Sequence, residues 1–349
     1  MSSALGNLWT SAATFRADAR GRVVVARSAP LPGSYRGRDA MGLFWSMRPK
    51  SCASCVMAPA PVATVRVVAS SRDRRLASTS FVRRGEVPGI SVKETTLSRE
   101  GFIGCYSNPG TQPFYPATRT ARPGPAILLL GGSEGGLDCD IRSALLASHG
   151  YPTLRLAYFR MPGLPQELDD IPLEYFRSAL AWLARQPGVD PAKLIVFGIS
   201  RGGECALLLG SVYADIVHGV VSYVGSSVAN PASTAFGQAA WTLAGKPVAA
   251  GTEIPVEKSA GPIFLVSGVE DLLWPSSVYA AQIADRLKAH QRSDYTSLVY
   301  ERAGHLVGTA VPNLPLFDPS FGGTEAGDAR GRADSWPKLL VFLARLKSS

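Results

Sequence analysis

Gly198-Ile199-Ser200-Arg201-Gly202 follows the apolar run Leu194-Ile195-Val196-Phe197 and leads into a stretch of helical composition. A serine held between two glycines at a strand-to-helix junction is a nucleophile elbow. The turn is too tight for a Cβ at either glycine, and Ser200 itself must accept a strained φ/ψ. The hydroxyl then stands at the end of a sheet, over a helix N-terminus whose dipole favours developing negative charge. Such a chain must bury the strand on both faces, and it must supply an acid, a base and an oxyanion hole elsewhere.

From Ala126 onward the pattern meets the first demand. Ala126 to Leu130 is a continuous apolar run bounded by glycines, as a central parallel strand should be. Leu173 to Gln186 carries Phe176, Ala179, Leu180 and Leu183 on one helical face. Further strands are predicted at 194–197, 219–224, 263–267 and 297–301, and helices at 201–210, 277–290 and 334–346. Strands alternating with helices imply a doubly wound, mostly parallel sheet. The first 107 residues read differently. Arg22 to Ala26, Val62 to Val68 and Gly89 to Lys93 are β-rich, with no helical period, which predicts a small β-sandwich over 1–107. Pro/Gly density over 108–125 marks a linker, leaving 126–349 for the α/β part.

Charge divides at the same place. The chain carries 36 Lys+Arg and 27 Asp+Glu, a balance of +9. Residues 1–123 hold 18 of the basic and 6 of the acidic side chains, so the excess belongs wholly to the N-terminal third. It could draw nucleic acid, acidic lipid or the phosphates of a CoA ester. No nucleic-acid module signature accompanies it, and the plainer reading is an arginine-rich bacterial surface. No uncharged apolar run approaches the ~18 residues of a membrane span, and Met1 to Asn7 has no signal-peptide pattern, so a cytoplasmic home is expected. Five cysteines do not look like a disulfide framework. Cys52-Ala53-Ser54-Cys55 has zinc-like spacing without a second pair, so no metal and no cofactor is expected.

The partners of Ser200 fall in the chain order of an α/β-hydrolase. Glu270 and Asp271 follow the strand ending at Gly268, where that fold keeps its acid; Asp271 is favoured because the Gly-x-x-Asp spacing lets the loop turn its carboxylate toward the sheet edge. His305 ends a strand that runs into a Gly-His turn. Of the four histidines it alone has the position of a general base, since His149, His218 and His290 sit at element ends with structural explanations. The oxyanion hole needs two backbone N–H groups. Arg201, directly after the nucleophile, offers one. The loop Gly131-Gly132-Ser133-Glu134-Gly135-Gly136 offers the other, from Ser133 first or Glu134 second; it lacks the ending of a phosphate-binding loop. The long connection from Ser226 to Ala260 carries Phe236, Trp241 and Leu243, read as a cap over the acyl chain or as packing residues.

Several further motifs carry a family likeness along nearly the whole chain. Leu130 to Gly136, Ser143 to Tyr151, Leu156 to Phe159, Leu164 to Leu168, Ile171 to Phe176 and Gly198 to Glu204 carry the likeness in the C-terminal part. Trp9 to Asp18, Gly33 to Gly37 and Met41 to Met47 carry it in the N-terminal part. Together they resemble the acyl-CoA thioesterase and bile acid-CoA:amino acid N-acyltransferase family, and the resemblance implies an immunoglobulin-like β-sandwich, here shortened at its N-terminal end, on an α/β-hydrolase domain acting on acyl-CoA. It places the nucleophile on Ser200, the acid on Asp271 and the base on His305. Members with cysteine as nucleophile tend to conjugate glycine or taurine, and those with serine tend to hydrolyse. Ser200 therefore implies a thioesterase, with an N-acyltransferase, a tailoring esterase or acyltransferase, or a non-catalytic binding protein as the alternatives.

Overall fold

In a computed structural model of the chain, the residues described are 8–50, 62–72, 74–109, 123–137, 141–233, 238–316 and 318–348. Cys52, Cys55 and Phe236 lie outside them, as does most of the Pro/Gly-rich segment.

The dominant element is an eight-stranded sheet. In chain order its strands are β3 (Ser91–Thr95), β4 (Ile103–Asn108), β5 (Gly124–Leu130), β6 (Thr153–Ala157), β7 (Val189–Ile199), β8 (Gly219–Tyr223), β9 (Ile263–Gly268) and β10 (Tyr295–Tyr300). The order across the sheet is β10-β9-β8-β7-β5-β6-β4-β3. All neighbours from β6 to β10 pair in parallel, while β4 runs antiparallel to both β6 and β3. The helices longer than one turn are α1 (Ile141–Ser148), α2 (Leu173–Leu183), α3 (Arg201–Val212), α4 (Ser276–Ala289) and α5 (Glu325–Ser348).

Alternation along buried strands builds two cores from each apolar run. Ala126, Leu128 and Leu130 of β5, with Leu194 and Val196 of β7, face α2, α3 and α4. Ile127 and Leu129, with Ile195 and Phe197, face α1 and α5. The central strands are thus covered on both sides, and their C-terminal ends share one edge of the sheet.

The N-terminal part differs from its sequence reading in three respects. Arg22 to Ala26 forms no strand; its chain ends in a single 3₁₀ turn at Val25–Arg27, with Val23 and Val24 exposed. β propensity without a partner strand leaves no ladder to join. The predicted strand at 62–68 extends to Ser71 as β1 and pairs antiparallel with β2 (Arg74–Arg84), a two-stranded ladder with Arg72 at its turn in the left-handed region (φ 46°). The strand predicted at 89–93 lies instead at 91–95, and it joins the large sheet as β3. That sheet therefore takes in Ser91–Thr95 and Ile103–Asn108, all but the last residue of which the sequence reading assigned to the N-terminal unit. A further short ladder joins Trp9–Thr10 to Arg48–Pro49.

This region is anchored on α5. Tyr35 and Trp45 pack with Ala329 in a small cluster, and Arg48 grips Glu325 through two hydrogen bonds of 2.6 Å. Cys105 of β4 is disulfide-bonded and Cys205 is a free, buried thiol. No helix among the described residues is long and apolar enough to cross a membrane, and no group of three metal-ligating side chains is found among them.

The two-core arrangement has a measurable consequence. Leu128 is fully buried in mid-sheet, whereas Val341 on α5 is 54% exposed. Leu128→Ala should lower the unfolding free energy by about 2–5 kcal/mol in a urea titration, and Val341→Ala by under about 0.5 kcal/mol.

Candidate active site

Ser200 follows the last residue of β7 and caps α3, with φ 55° and ψ −120°. This region is open essentially to glycine alone, so a serine there is strained. The flanking glycines are required by contact. A Cβ on Gly198 would lie 1.8 Å from the Gly202 carbonyl oxygen, and one on Gly202 would lie 2.2 Å from that of Gly131. The Ser200 amide donates to the Tyr223 carbonyl, tying the elbow to β8.

The loop after β5 passes against this elbow. A Cβ at Gly132 would sit 3.0 Å from Ser200 Cβ and 2.9 Å from Glu134 Oε2, which places that carboxylate oxygen within 6 Å of Ser200 Cβ. Tyr158 Oη donates to the carbonyl of Gly131 at 2.7 Å and fixes the loop. Ser133 and Glu134 follow, both exposed. Glu134 lies 3.6 Å from Arg155, a guanidinium almost wholly buried beneath the loop. As the first residue of α3, Arg201 has an amide with no intrahelical acceptor.

Asp271 and His305 stand on the loops after β9 and β10. His305 Nδ1 lies 2.8 Å from Asp271 Oδ2 and 3.1 Å from Oδ1. The Asp271 side chain is fully buried and also accepts from the amides of Leu273 and Trp274, while Glu270 beside it is exposed. The imidazole is packed by Trp274 and Phe321, with ring centroids 6.0 and 6.1 Å away. Trp274 Nε1 donates to the carbonyl of Val224, a β-branched residue held at φ 45° just past β8.

A segment that sequence reasoning passed over holds the two loops in register. Gly322 bridges to Asp271 and Gly323 to Ala303, while the Gly323 amide donates to the Glu270 carbonyl and the Glu270 amide to that of Ala303. Gly322 has φ +76°, and a Cβ there would fall 1.9 Å from the Glu270 carbonyl. Only two adjacent glycines fit between the acid and the histidine.

Of the three residues read as cap or packing, Trp241 is placed in the packing role. It is fully buried, packed on Tyr158 and Phe176, and its Nε1 donates to Glu204 Oε1 at 2.6 Å. An indole N–H committed to a buried carboxylate explains the aromatic without an acyl chain. Leu243 packs against the same core. Glu204, one turn after Ser200, is itself wholly enclosed. It also receives Arg201 Nη1 and the backbone and side-chain nitrogens of Asn230. Burial raises its pKa, and Arg201 opposes the rise. His149 likewise packs on Trp336, and burial lowers its pKa.

The glycine spacer can be tested directly. Gly322→Ala should slow labelling of Ser200 by a fluorophosphonate roughly 100-fold, since a shift of about 1 Å in a reacting group costs that much. The global unfolding midpoint should move far less.

The fold is shared with solved hydrolases. A dienelactone hydrolase from Klebsiella pneumoniae superposes with a TM-score of 0.52 at 17% identity, covering 73% of this chain and 99% of its own. A puromycin-hydrolysing peptidase of Mycobacterium tuberculosis also reaches 0.52, at 16% identity over 81% of this chain and 46% of its own. Sequence relatives are closer. Mouse acyl-coenzyme A thioesterase 6 and mouse peroxisomal succinyl-coenzyme A thioesterase are each 28% identical over 97% of this chain and 87% of their own length. Mouse mitochondrial acyl-coenzyme A thioesterase 2 is 29% identical over 97% and 80%. Residues 1–96 match the acyl-CoA thioester hydrolase/BAAT N-terminal region, and 171–246 with 238–348 match the BAAT/acyl-CoA thioester hydrolase C-terminal region. The chain belongs to the acyl-CoA thioester hydrolase/BAAT family.

Proposed function

We propose that this protein hydrolyses acyl-CoA thioesters through an acyl-enzyme on Ser200, with His305 as general base and Asp271 as its orienting acid. The observation that carries the reading is the buried Asp271–His305 pair on the same sheet edge as a serine held at φ 55°, in a chain of this family.

Each step has a residue to perform it. With Asp271 ionised and accepting from Nδ1–H, His305 keeps Nε2 free to take the proton of Ser200 Oγ as the oxygen attacks the thioester carbonyl carbon. Amides of Arg201 and of the Ser133–Glu134 turn are the donors proposed for the developing oxyanion. As the C–S bond breaks, the imidazolium returns the proton to the departing CoA sulfur. Water then attacks the acyl-serine, giving its proton to His305, and Ser200 leaves with that proton as the acid is released. The serine supports water as acceptor because an oxygen ester is far less reactive toward an amine than a thioester intermediate is.

Release of free thiol from a panel of acyl-CoA substrates tests the proposal. The wild type should liberate CoA, and Ser200→Ala should lower the rate at least ~10³-fold. Unchanged release by the variant would reject the nucleophile. Adding glycine or taurine should leave the product a free acid, and an amide detected by mass would instead assign conjugation.

A further inference from the structure

His305 is tied to Asp271 on one side and to α5 on the other, and neither tie reaches Ser200. On α5, Asp328 Oδ1 accepts from the Gly304 amide at 2.8 Å, and Arg332 donates to the carbonyls of Leu306 and Leu314 at 2.9 and 3.0 Å. Those bonds hold the backbone around the histidine. The serine follows β7, the acid and the histidine follow β9 and β10, and β8 lies between the two groups. The end of β8 is therefore where the halves of the site can be joined.

Tyr223 and Val224 stand there. The Tyr223 carbonyl accepts from the Ser200 amide at 2.9 Å. Val224, next in the chain, is fully buried at φ 45°. Positive φ is a genuine outlier for a β-branched residue and marks an imposed conformation. The Val224 amide keeps its bond to the Val266 carbonyl of β9 at 2.7 Å, whereas the Val224 carbonyl accepts from Trp274 Nε1 at 2.9 Å. The same indole lies against the His305 ring, with centroids 6.0 Å apart and planes at 67°. The Val224 side chain makes a second contact. Its Cγ2 fills the space that a Cβ on Gly308 would need, in the 3₁₀ turn His305–Thr309, and Ile199 Cγ2 lies 3.4 Å from the same position. Ile199 immediately precedes the serine.

Packing alone asks for neither feature. A phenylalanine would fill the space beside the imidazole without a donor, and a valine within a regular strand would reach the core without a positive φ. An indole N–H needs an acceptor when it is taken from water, and the turn at Val224 supplies one. We propose that Val224 and Trp274 are positioning residues for the serine–histidine pair. The strained turn registers the His305 turn against the strand end that holds Ser200, through its carbonyl on the indole and its side chain on Gly308. This rests on Ser200 as nucleophile and His305 as general base.

Trp274→Phe keeps a ring against His305 and removes the donor. Labelling of Ser200 by a fluorophosphonate should slow by ~10- to ~100-fold, the larger figure being the cost of a displacement of about 1 Å. With acyl-CoA as substrate, kcat should fall by a similar factor while KM stays within about twofold of wild type. Val224→Ala, which loses the contact with Gly308, should slow labelling in the same direction. The double variant should lose less than the product of the two losses, because both act through one turn. Trp182→Phe is the control: Trp182 on α2 packs on Phe102 and Tyr106, so its loss should lower the melting temperature without slowing labelling. Labelling of Trp274→Phe within about twofold of wild type overturns the proposal, whatever its melting temperature. A loss that falls on KM with kcat unchanged also overturns it, and assigns the indole to substrate binding. Val224→Ala carries the test by the same readouts should Trp274→Phe fail to fold. A wild type that the phosphonate does not label overturns the serine reading and this inference together, whereas a labelled wild type with unslowed variants overturns only the latter.

Discussion

One turn constrains everything around it: Ser200 at φ 55°, ψ −120°, wedged between two glycines whose Cβ positions are occupied by backbone. Such a conformation costs about 1–3 kcal/mol and survives only where its surroundings over-determine it. The surroundings here are β7, sandwiched between the two cores, and β5, whose continuation presses on Gly202. The strained residue is held by the most deeply buried part of the molecule, so it does not relax. A flexible loop could present a serine, but not one with a fixed direction.

The acid and the histidine are then placed by parallel pairing. β9 and β10 are neighbours, so the loops leaving their C-terminal ends emerge side by side, on the same edge as Ser200. Side by side is still too coarse for a 2.8 Å contact. The remaining precision comes from Gly322 and Gly323, which pair with both loops, and from the start of α5, which grips the turn beyond. The N-terminal region enters the same chain of contacts, since its Arg48 and its Tyr35–Trp45 cluster rest on that helix start. A basic N-terminal unit with no residue in the proposed mechanism is thereby connected to the histidine through a single helix end.

Those layers differ in how readable they are. β5 and β7 could be read because burial on both faces leaves an unbroken apolar run. Ser200, Asp271 and His305 could be singled out as candidates because each follows a strand and their order along the chain is that of the fold. β4 could not, since Gly104, Cys105 and Ser107 give no period in isolation and it is buried only by its place in the sheet. The valines at 23–25 misled for the converse reason: propensity was present and a partner was not. Trp241 was ambiguous because a large aromatic in a long connection looks alike whether it meets a ligand or a buried carboxylate. Gly322, Asp328 and Arg332 carried no local signal at all. Their importance lies in contacts with residues 18 to 51 positions away, which exist only once the strands are assembled.

Two kinds of buried charge near the sheet edge follow from this layering. Glu204 is saturated: it accepts from Arg201, Asn230 and Trp241, and so ties the first turn of the helix after Ser200 to two other segments. A carboxylate so enclosed is costly to break and does little at a distance, because donors surround it. Asp328 and Arg332 are the reverse, each with an atom unpaired and each holding only backbone carbonyls or an amide. Their charges oppose one another across one helical turn, and Glu325 adds its own to Arg332. Full satisfaction suits a residue that must hold geometry. Glu204 fixes the helix that starts after the serine, and Asp328 with Arg332 fixes the backbone of the turn that carries the histidine.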